Sequence, residues 1–277
     1  MLKNEILLPG VHNSRELGGY LAGGRIVKKG VLIRTGELVN AAPEAKIKLS
    51  ETYHIKHIVD FRMKSEVVKR PDPIIPGADN HNYSVVEIED YFAMLGNTDI
   101  PKDILSQPMD KSRMIEIAYE RGLIGPQMYS MYLLGDRGKK AYKDFFRLII
   151  ESDPDKEAVL WHCTDGKDRA GLAAALLLAA LGADMKTILD DYMLTNVYNE
   201  QKIDTIKSKY SDCTQEKQDA MIFAGGGVID SYLMNAFSSI NKAFGSVEDY
   251  LTDGLGLNNS DLILLREKFT KTNEGLP

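Results

Sequence analysis

Apolar residues along this chain follow two spacings. Short runs mark strands: Ile26-Val27 and Val31-Leu32-Ile33 flank Lys28-Lys29-Gly30 and predict a short hairpin, Ile55 to Phe61 predicts a compact buried strand, and Tyr83 to Ile88 a further one. The clearest run, Ala158-Val159-Leu160-Trp161-His162, stops at a glycine-containing loop. Beyond it lie 14 largely apolar residues, Ala170 to Ala183, which predict a buried core helix. That stretch is shorter than the ~20 residues of a membrane span and follows directly on Lys167, Asp168 and Arg169, so no integral membrane segment is expected.

Helical spacing recurs at Val228, Tyr232, Leu233, Ala236, Ile240 and Ala243, and again at Leu262, Leu265 and Phe269, marking faces turned to a core. After a turn-rich connection from Pro71 to Gly77, residues from about 97 to 152 read as helices broken near Gly125-Pro126 and Gly135. No internal repeat or strong linker divides the chain. The expectation is a single domain, residues 1–277, carrying a helical insertion or lid roughly over 97–152.

Charge narrows the function. With 34 basic against 40 acidic residues the net charge is −6, which argues against broad attachment to nucleic acid or anionic membrane. Two cysteines, Cys163 and Cys213, exclude a disulfide framework and a zinc site of repeated Cys-x-x-Cys pairs, and fit a reducing compartment. The apolar run at Ile6 to Leu8 is far shorter than the ~7–15 residues of a secretory signal, so a cytoplasmic location is expected.

The chemistry concentrates in VLWHCTDGKDRAGLAAALLL. Cys163 and Arg169 stand six positions apart in a strand-to-helix turn, and Gly166 and Gly171 permit tight backbone there. Backbone N–H groups of Thr164, Asp165, Gly166 and Lys167, with the helix N-terminus, suit one tetrahedral anion. The same field should lower the Cys163 thiol toward a thiolate. Arg169 offers a planar fork for two phosphate oxygens. The expected course is a phosphocysteine intermediate followed by attack of water, with no metal or other cofactor. A Walker loop does not fit, because Gly166-Lys167 is followed by Asp168 and the upstream glycine position is Trp161. Nor does a dinucleotide loop, because Gly225-Gly226-Gly227 is followed by Asp230 where a third glycine belongs.

At HCTDGKDRAG the chain resembles the bacterial atypical protein-tyrosine phosphatases with an HCxxGKDR loop, a group similar to dual-specificity and phosphoinositide phosphatases. NSRELGGY, GRIVKKGVLIRTGEL, IVDFRMKSEVVKRPDP and DDYMLTNVYN look like further segments of that family in order. The resemblance implies a three-layer α/β fold with a mostly parallel central sheet flanked by helices. It implies Cys163 as nucleophile, Arg169 as phosphate clamp, and Lys167 and Asp168 as the pair that marks the family. Asp168 reads either as leaving-group acid or as a loop brace, with Asp60 and Asp90 as fallback acids. Lys167 is expected at phosphate, at the extra phosphates of an inositol head group, or on the loop rim. His162 is expected to orient the loop, with Asn13, Arg15, Glu16, Gly18-Gly19, Asp60 and Arg62 bracing it. Met109, Met114, Met128, Tyr129, Met131 and Tyr132 read as packing, and Cys213 as a solvent-side thiol.

Two departures stand out: Asp165 replaces a small residue, and Ala170 a threonine or serine. The first is expected to disfavour polyphosphorylated head groups, the second to slow release of phosphate from the cysteine. The expected partner is a phosphorylated protein or peptide, with phosphoinositides as weaker targets. An inositol-phosphate or lipid phosphatase, a sulfurtransferase and a non-catalytic phosphate-binding module are the competing functions.

Overall fold

A computed structural model describes residues 4–94 and 111–273. Its strands are Arg15–Glu16 (β1), Leu21–Ala22 (β2), Arg25–Val27 (β3), Leu32–Thr35 (β4), Ile55–Asp60 (β5), Asp79–Asn82 (β6), Ala158–His162 (β7) and Thr270–Thr272 (β8). The helices of the first half are Pro43–Ile47 (α1), Lys64–Lys69 (α2), Ile88–Met94 (α3), Lys111–Glu120 (α4), Gln127–Leu134 (α5) and Asp136–Glu151 (α6). Those of the second are Arg169–Leu181 (α7), Met185–Tyr198 (α8), Glu200–Lys209 (α9), Gln215–Gly225 (α10), Asp230–Phe244 (α11), Val247–Asp249 (α12) and Asn259–Phe269 (α13).

The central sheet runs β1-β4-β7-β5-β6, antiparallel only at β1. Its inner parallel strands β4, β5 and β7 are largely buried, which is why short apolar runs mark them in the sequence. Side chains alternate between two cores: Leu32, Val59, Val159 and Trp161 enter the larger, while Ile33, Ile58, Ala158 and Leu160 enter the smaller with Ala45 and Leu49. On the larger side α7, apolar all round, is almost wholly buried. Beside it, α6 sets Phe145 edge-on between Phe61 and Trp161, at 5.3 Å from each ring. Thus α6 belongs to the main core. Residues 97–110 of the expected insertion lie outside the described residues.

The register brings Thr35, His162, Asp60 and Asn82 into one row at the carboxyl ends of the parallel strands. Ligands of open α/β sheets bind at that edge.

Two strand expectations are corrected. The segments around Lys28-Lys29-Gly30 do not form a hairpin: β3 joins a second sheet, β2-β3-β8, and β4 joins the central one. Gly30, at φ +76°, turns the chain between them and donates its N–H to Glu16 Oε2 at 2.5 Å. The hairpin is β2–β3, closed by Gly23-Gly24 with φ +57° and +77°, as a two-residue turn of this hand requires. The strand expected over Tyr83 to Ile88 lies earlier, at Asp79–Asn82, a polar edge strand held by main-chain bonds to β5. Such an edge carries no apolar signature. In the C-terminal half, α11 and α13 bury the expected faces except Ala243, which is exposed.

Candidate active site

The loop from Cys163 to Asp168 leaves β7 and enters α7. Its carbonyls are held from outside by a series of donors. Glu37 N–H reaches Thr164 O at 3.0 Å, Asn13 Nδ2 reaches Asp165 O at 3.1 Å, and Arg34 Nη2 reaches Gly166 O at 2.7 Å. His162 Nδ1 lies 3.3 Å from Cys163 O. In a trans peptide the following N–H points opposite to the carbonyl. The N–H groups of 164 to 167 therefore turn inward, forming a nest for an anion beside the helix N-terminus. At Gly166, φ is +67° and a Cβ would sit 2.3 Å from Thr35 O, so only glycine lets the loop pass β4. Tyr142 and Trp161 hold the carbonyls of Arg169 and Ala170 at 3.1 Å each.

Cys163 is buried and a free thiol. Burial pushes its thiol up, the Arg169 guanidinium and the Ala170 N–H oppose the rise, and Asp168 and Asp165 add to it. Burial thus works first against the expected lowering, and the loop cations that would oppose it are already paired. Arg169 Nη1 lies 2.7 Å from Glu66 Oε2, while its Nη2 is 3.4 Å from Oε1 and 3.2 Å from Thr164 Oγ1. Lys167 Nζ lies 2.7 Å from Asp168 Oδ2. Each loop cation is already neutralised by a carboxylate.

Glu66 did not emerge from sequence, although it sits in the segment IVDFRMKSEVVKRPDP. Its carboxylate accepts from Met63 N–H at 2.8 Å and Thr164 Oγ1 at 2.6 Å, besides Arg169. Burial would raise its pKa, but Arg169 and these bonds bring it down to about 2. Among the described residues Arg169 Nε carries no hydrogen bond, which leaves that edge of the fork for a phosphate.

Asp168 accepts from Tyr129 OH at 2.8 Å, and Tyr129 in turn meets Tyr192 OH at 2.9 Å. Lys167 is buried: Nζ donates to Phe223 O at 2.8 Å and lies 4.2 Å from the Phe223 ring centre. It is neither on the loop rim nor free for a head group. Asp90 caps α3 at Glu87 N–H and pairs with Arg137 at 2.7 Å, away from this network.

Beneath the loop, Asp60 and Arg62 form a bidentate pair, and Arg62 also reaches Glu37 at 3.0 Å and Asp72 at 3.0 Å. His162 Nε2 lies 3.0 Å from Asp72 Oδ2. Burial alone would lower the His162 pKa, but Asp60 and Asp72 outweigh it and raise it. Asp60, Asp72 and His162 have metal-ligating donor types. Arg62 already supplies the cation between the two carboxylates, so they read as an ion-pair network. On the other side Asp191, from α8, takes Arg15 Nε at 2.9 Å and Arg34 Nη1 at 2.6 Å. Glu16 and Gly18 lie at the Gly30 turn, with a Cβ on Gly18 only 2.5 Å from Lys29 Cα, and do not touch the loop.

Arg34, Asp191, Asp72 and Glu37 were missed as individual residues. Their signal is a charge set inside or beside an apolar run, as in VLIRTGEL. Cys213, half-buried, packs in a satellite cluster with Tyr210, Ala220 and Met221. Tyr129 and Tyr132 are buried, and Tyr132 OH meets Tyr91 OH at 2.6 Å. Met109 and the Met114 side chain lie outside the described residues.

A model of the Tyrosine phosphatase family matches residues 6–271. A Cupriavidus necator protein that carries a provisional tyrosine-protein phosphatase name is 29% identical over 261 residues, covering 94% of this chain and 87% of its own. The triple specificity protein phosphatase PtpB of Mycobacterium tuberculosis is 25% identical over 278 residues, covering 89% of this chain and 92% of its own.

Proposed function

The chain belongs to the tyrosine phosphatase family, and from that premise we propose that it hydrolyses phosphotyrosine in proteins through a phosphocysteine on Cys163. Phosphoserine, phosphothreonine and phosphoinositides are weaker substrates, and the words triple specificity in the mycobacterial relative's name are in keeping with a range wider than phosphotyrosine alone. One observation carries the reading: a strand-to-helix loop whose carbonyls are tied outward, starting at Cys163 and ending at the Arg169 fork, the build expected of a phosphate-binding loop (P-loop).

The inward N–H groups and the Arg169 Nε edge hold the equatorial oxygens. Cys163 sulfur attacks phosphorus in line as the P–O bond to tyrosine breaks and that oxygen takes the proton of the acid form of Asp168; the carboxylate left behind, the form that pairs with Lys167, then accepts a proton from the water that breaks the S–P bond and frees phosphate. Lys167 and Tyr129 position Asp168. Because Lys167 points to Phe223 and Asp165 adds a negative charge to the loop, polyphosphorylated head groups are disfavoured. Two free thiols fit a cytoplasmic setting. Among the described residues no helix is long and apolar enough to cross a membrane.

Phosphate release from a phosphotyrosine peptide and from p-nitrophenyl phosphate, with a metal chelator present, tests the proposal. The parent is expected to turn over both and Cys163→Ser neither; a Cys163→Ser protein as active as the parent ends it. Asp168→Asn is expected to slow the phosphotyrosine peptide by about 10²-fold, and p-nitrophenyl phosphate, whose leaving group needs no proton, much less. Equal losses on the two substrates make Asp168 a brace.

A further inference from the structure

Around the catalytic loop the ion pairs balance, with one exception. Arg169 is matched by Glu66 and Lys167 by Asp168. Arg62 and Arg70, with His162, face Glu37, Asp60 and Asp72. On the Asp191 side of the loop, however, Arg15 and Arg34 both pair with one carboxylate, Asp191, among the described residues, and all three are buried. That buried trio carries one positive charge in excess, while Asp165, which joins none of these ion pairs, sets a negative charge on the loop.

Arg34 is held for the loop. Nη1 is pinned by Asp191 at 2.6 Å and Nη2 donates to Gly166 O at 2.7 Å, while Nε is buried with no hydrogen-bond partner among the described residues. An incompletely satisfied buried guanidinium costs stability. Burial first, and then Arg15, bring Arg34 down to about 10, so it remains cationic at neutral pH, and it lies within electrostatic reach of Cys163. In water such a charge would be screened; in the dry interior it acts over several ångströms.

We propose that Arg34, anchored by Asp191 and reinforced by Arg15, is a positioning residue that supplies the net positive charge stabilising the Cys163 thiolate, while fixing the Gly166 peptide. The role rests on Cys163 being the nucleophile. Other charged or titratable groups act on that sulfur from every side. Asp165 and Asp168 lie on its own loop, Arg169, paired with Glu66 of α2, stands beside it, and Tyr142 reaches it from α6, while Lys167 is spent on Asp168 and His162 faces Asp60 and Asp72. Arg169 contributes most among the cations, but its charge is shared with Glu66.

The test reads the thiol itself, as the pH dependence of iodoacetamide alkylation of Cys163 in a Cys213→Ser background. Arg34→Met, which removes the surplus, is expected to raise the Cys163 pKa by about one unit. Arg15→Met, which leaves the loop contacts in place, should raise it by less. Asp191→Asn, which doubles the surplus, should lower it, and Arg34→Lys should restore the parent value while kcat still falls. A merely structural role moves Arg34→Met and Asp191→Asn in the same direction, or neither, and overturns the proposal. Should Asp191→Asn fail to fold, an unchanged pKa in Arg15→Met does so. Shifts of the expected signs in a protein that releases no phosphate would retain this electrostatic role while the hydrolase reading fails.

Discussion

Glu66 shows how one side chain joins three parts of the site, since it caps α2, holds the Thr164 hydroxyl and orients the Arg169 fork. Its pKa of about 2 makes it a stability group as well. A depressed carboxyl stabilises the fold above its ordinary pKa, and that contribution is lost as pH falls toward the folded value. A shift of this size is on the order of 3 kcal/mol at neutral pH. Glu66→Gln is therefore expected to lower the urea midpoint at pH 7 and to flatten its decline between about pH 4.5 and 2. A parallel decline in the two proteins would count against it. The same variant should slow turnover, because Arg169 loses the partner that aims it.

Among the elements, β5, β7 and the Pro71–Gly77 connection are tied by the network around Arg62. Here the sign is opposite. His162 is raised above its ordinary value, so its protonated form stabilises the fold at low pH, and this is lost as pH rises through the folded pKa. Deprotonation leaves Glu37, Asp60 and Asp72 facing Arg62 and Arg70, one negative charge in excess. Urea midpoints measured between about pH 6 and 9 should decline in the parent. Asp72→Asn, which removes that excess, should be less stable at pH 6 but nearly flat across the range. A parent with no decline would mean that His162 is held neutral.

At the scale of the whole molecule, the loop proposed to carry the chemistry was legible, because the types and spacing in HCTDGKDR admit few uses and it lies between β7 and α7; β5, β7 and α7 were legible because buried parallel strands and core helices are rich in apolar residues. What escaped has physical causes. Polar β6 is an edge strand with nothing to bury, and β2 is two residues long. Glu66, Arg34 and Asp191 act across separations of about a hundred residues or more, which no local pattern encodes.

The pairing of β8 with β3 is another such contact, joining Arg25 to Thr272 and Val27 to Thr270. A chain truncated before Thr270 should lose roughly 1–3 kcal/mol, the worth of a few ladder bonds, seen as a lower urea midpoint with the helical circular dichroism retained. That pairing also sets an order on synthesis. The β2–β3 hairpin emerges from the ribosome early, yet its outer edge has no partner until Thr272 is out. Through the synthesis of everything between β3 and β8 the nascent chain thus carries an open strand edge, exposed to whatever strands its neighbours offer.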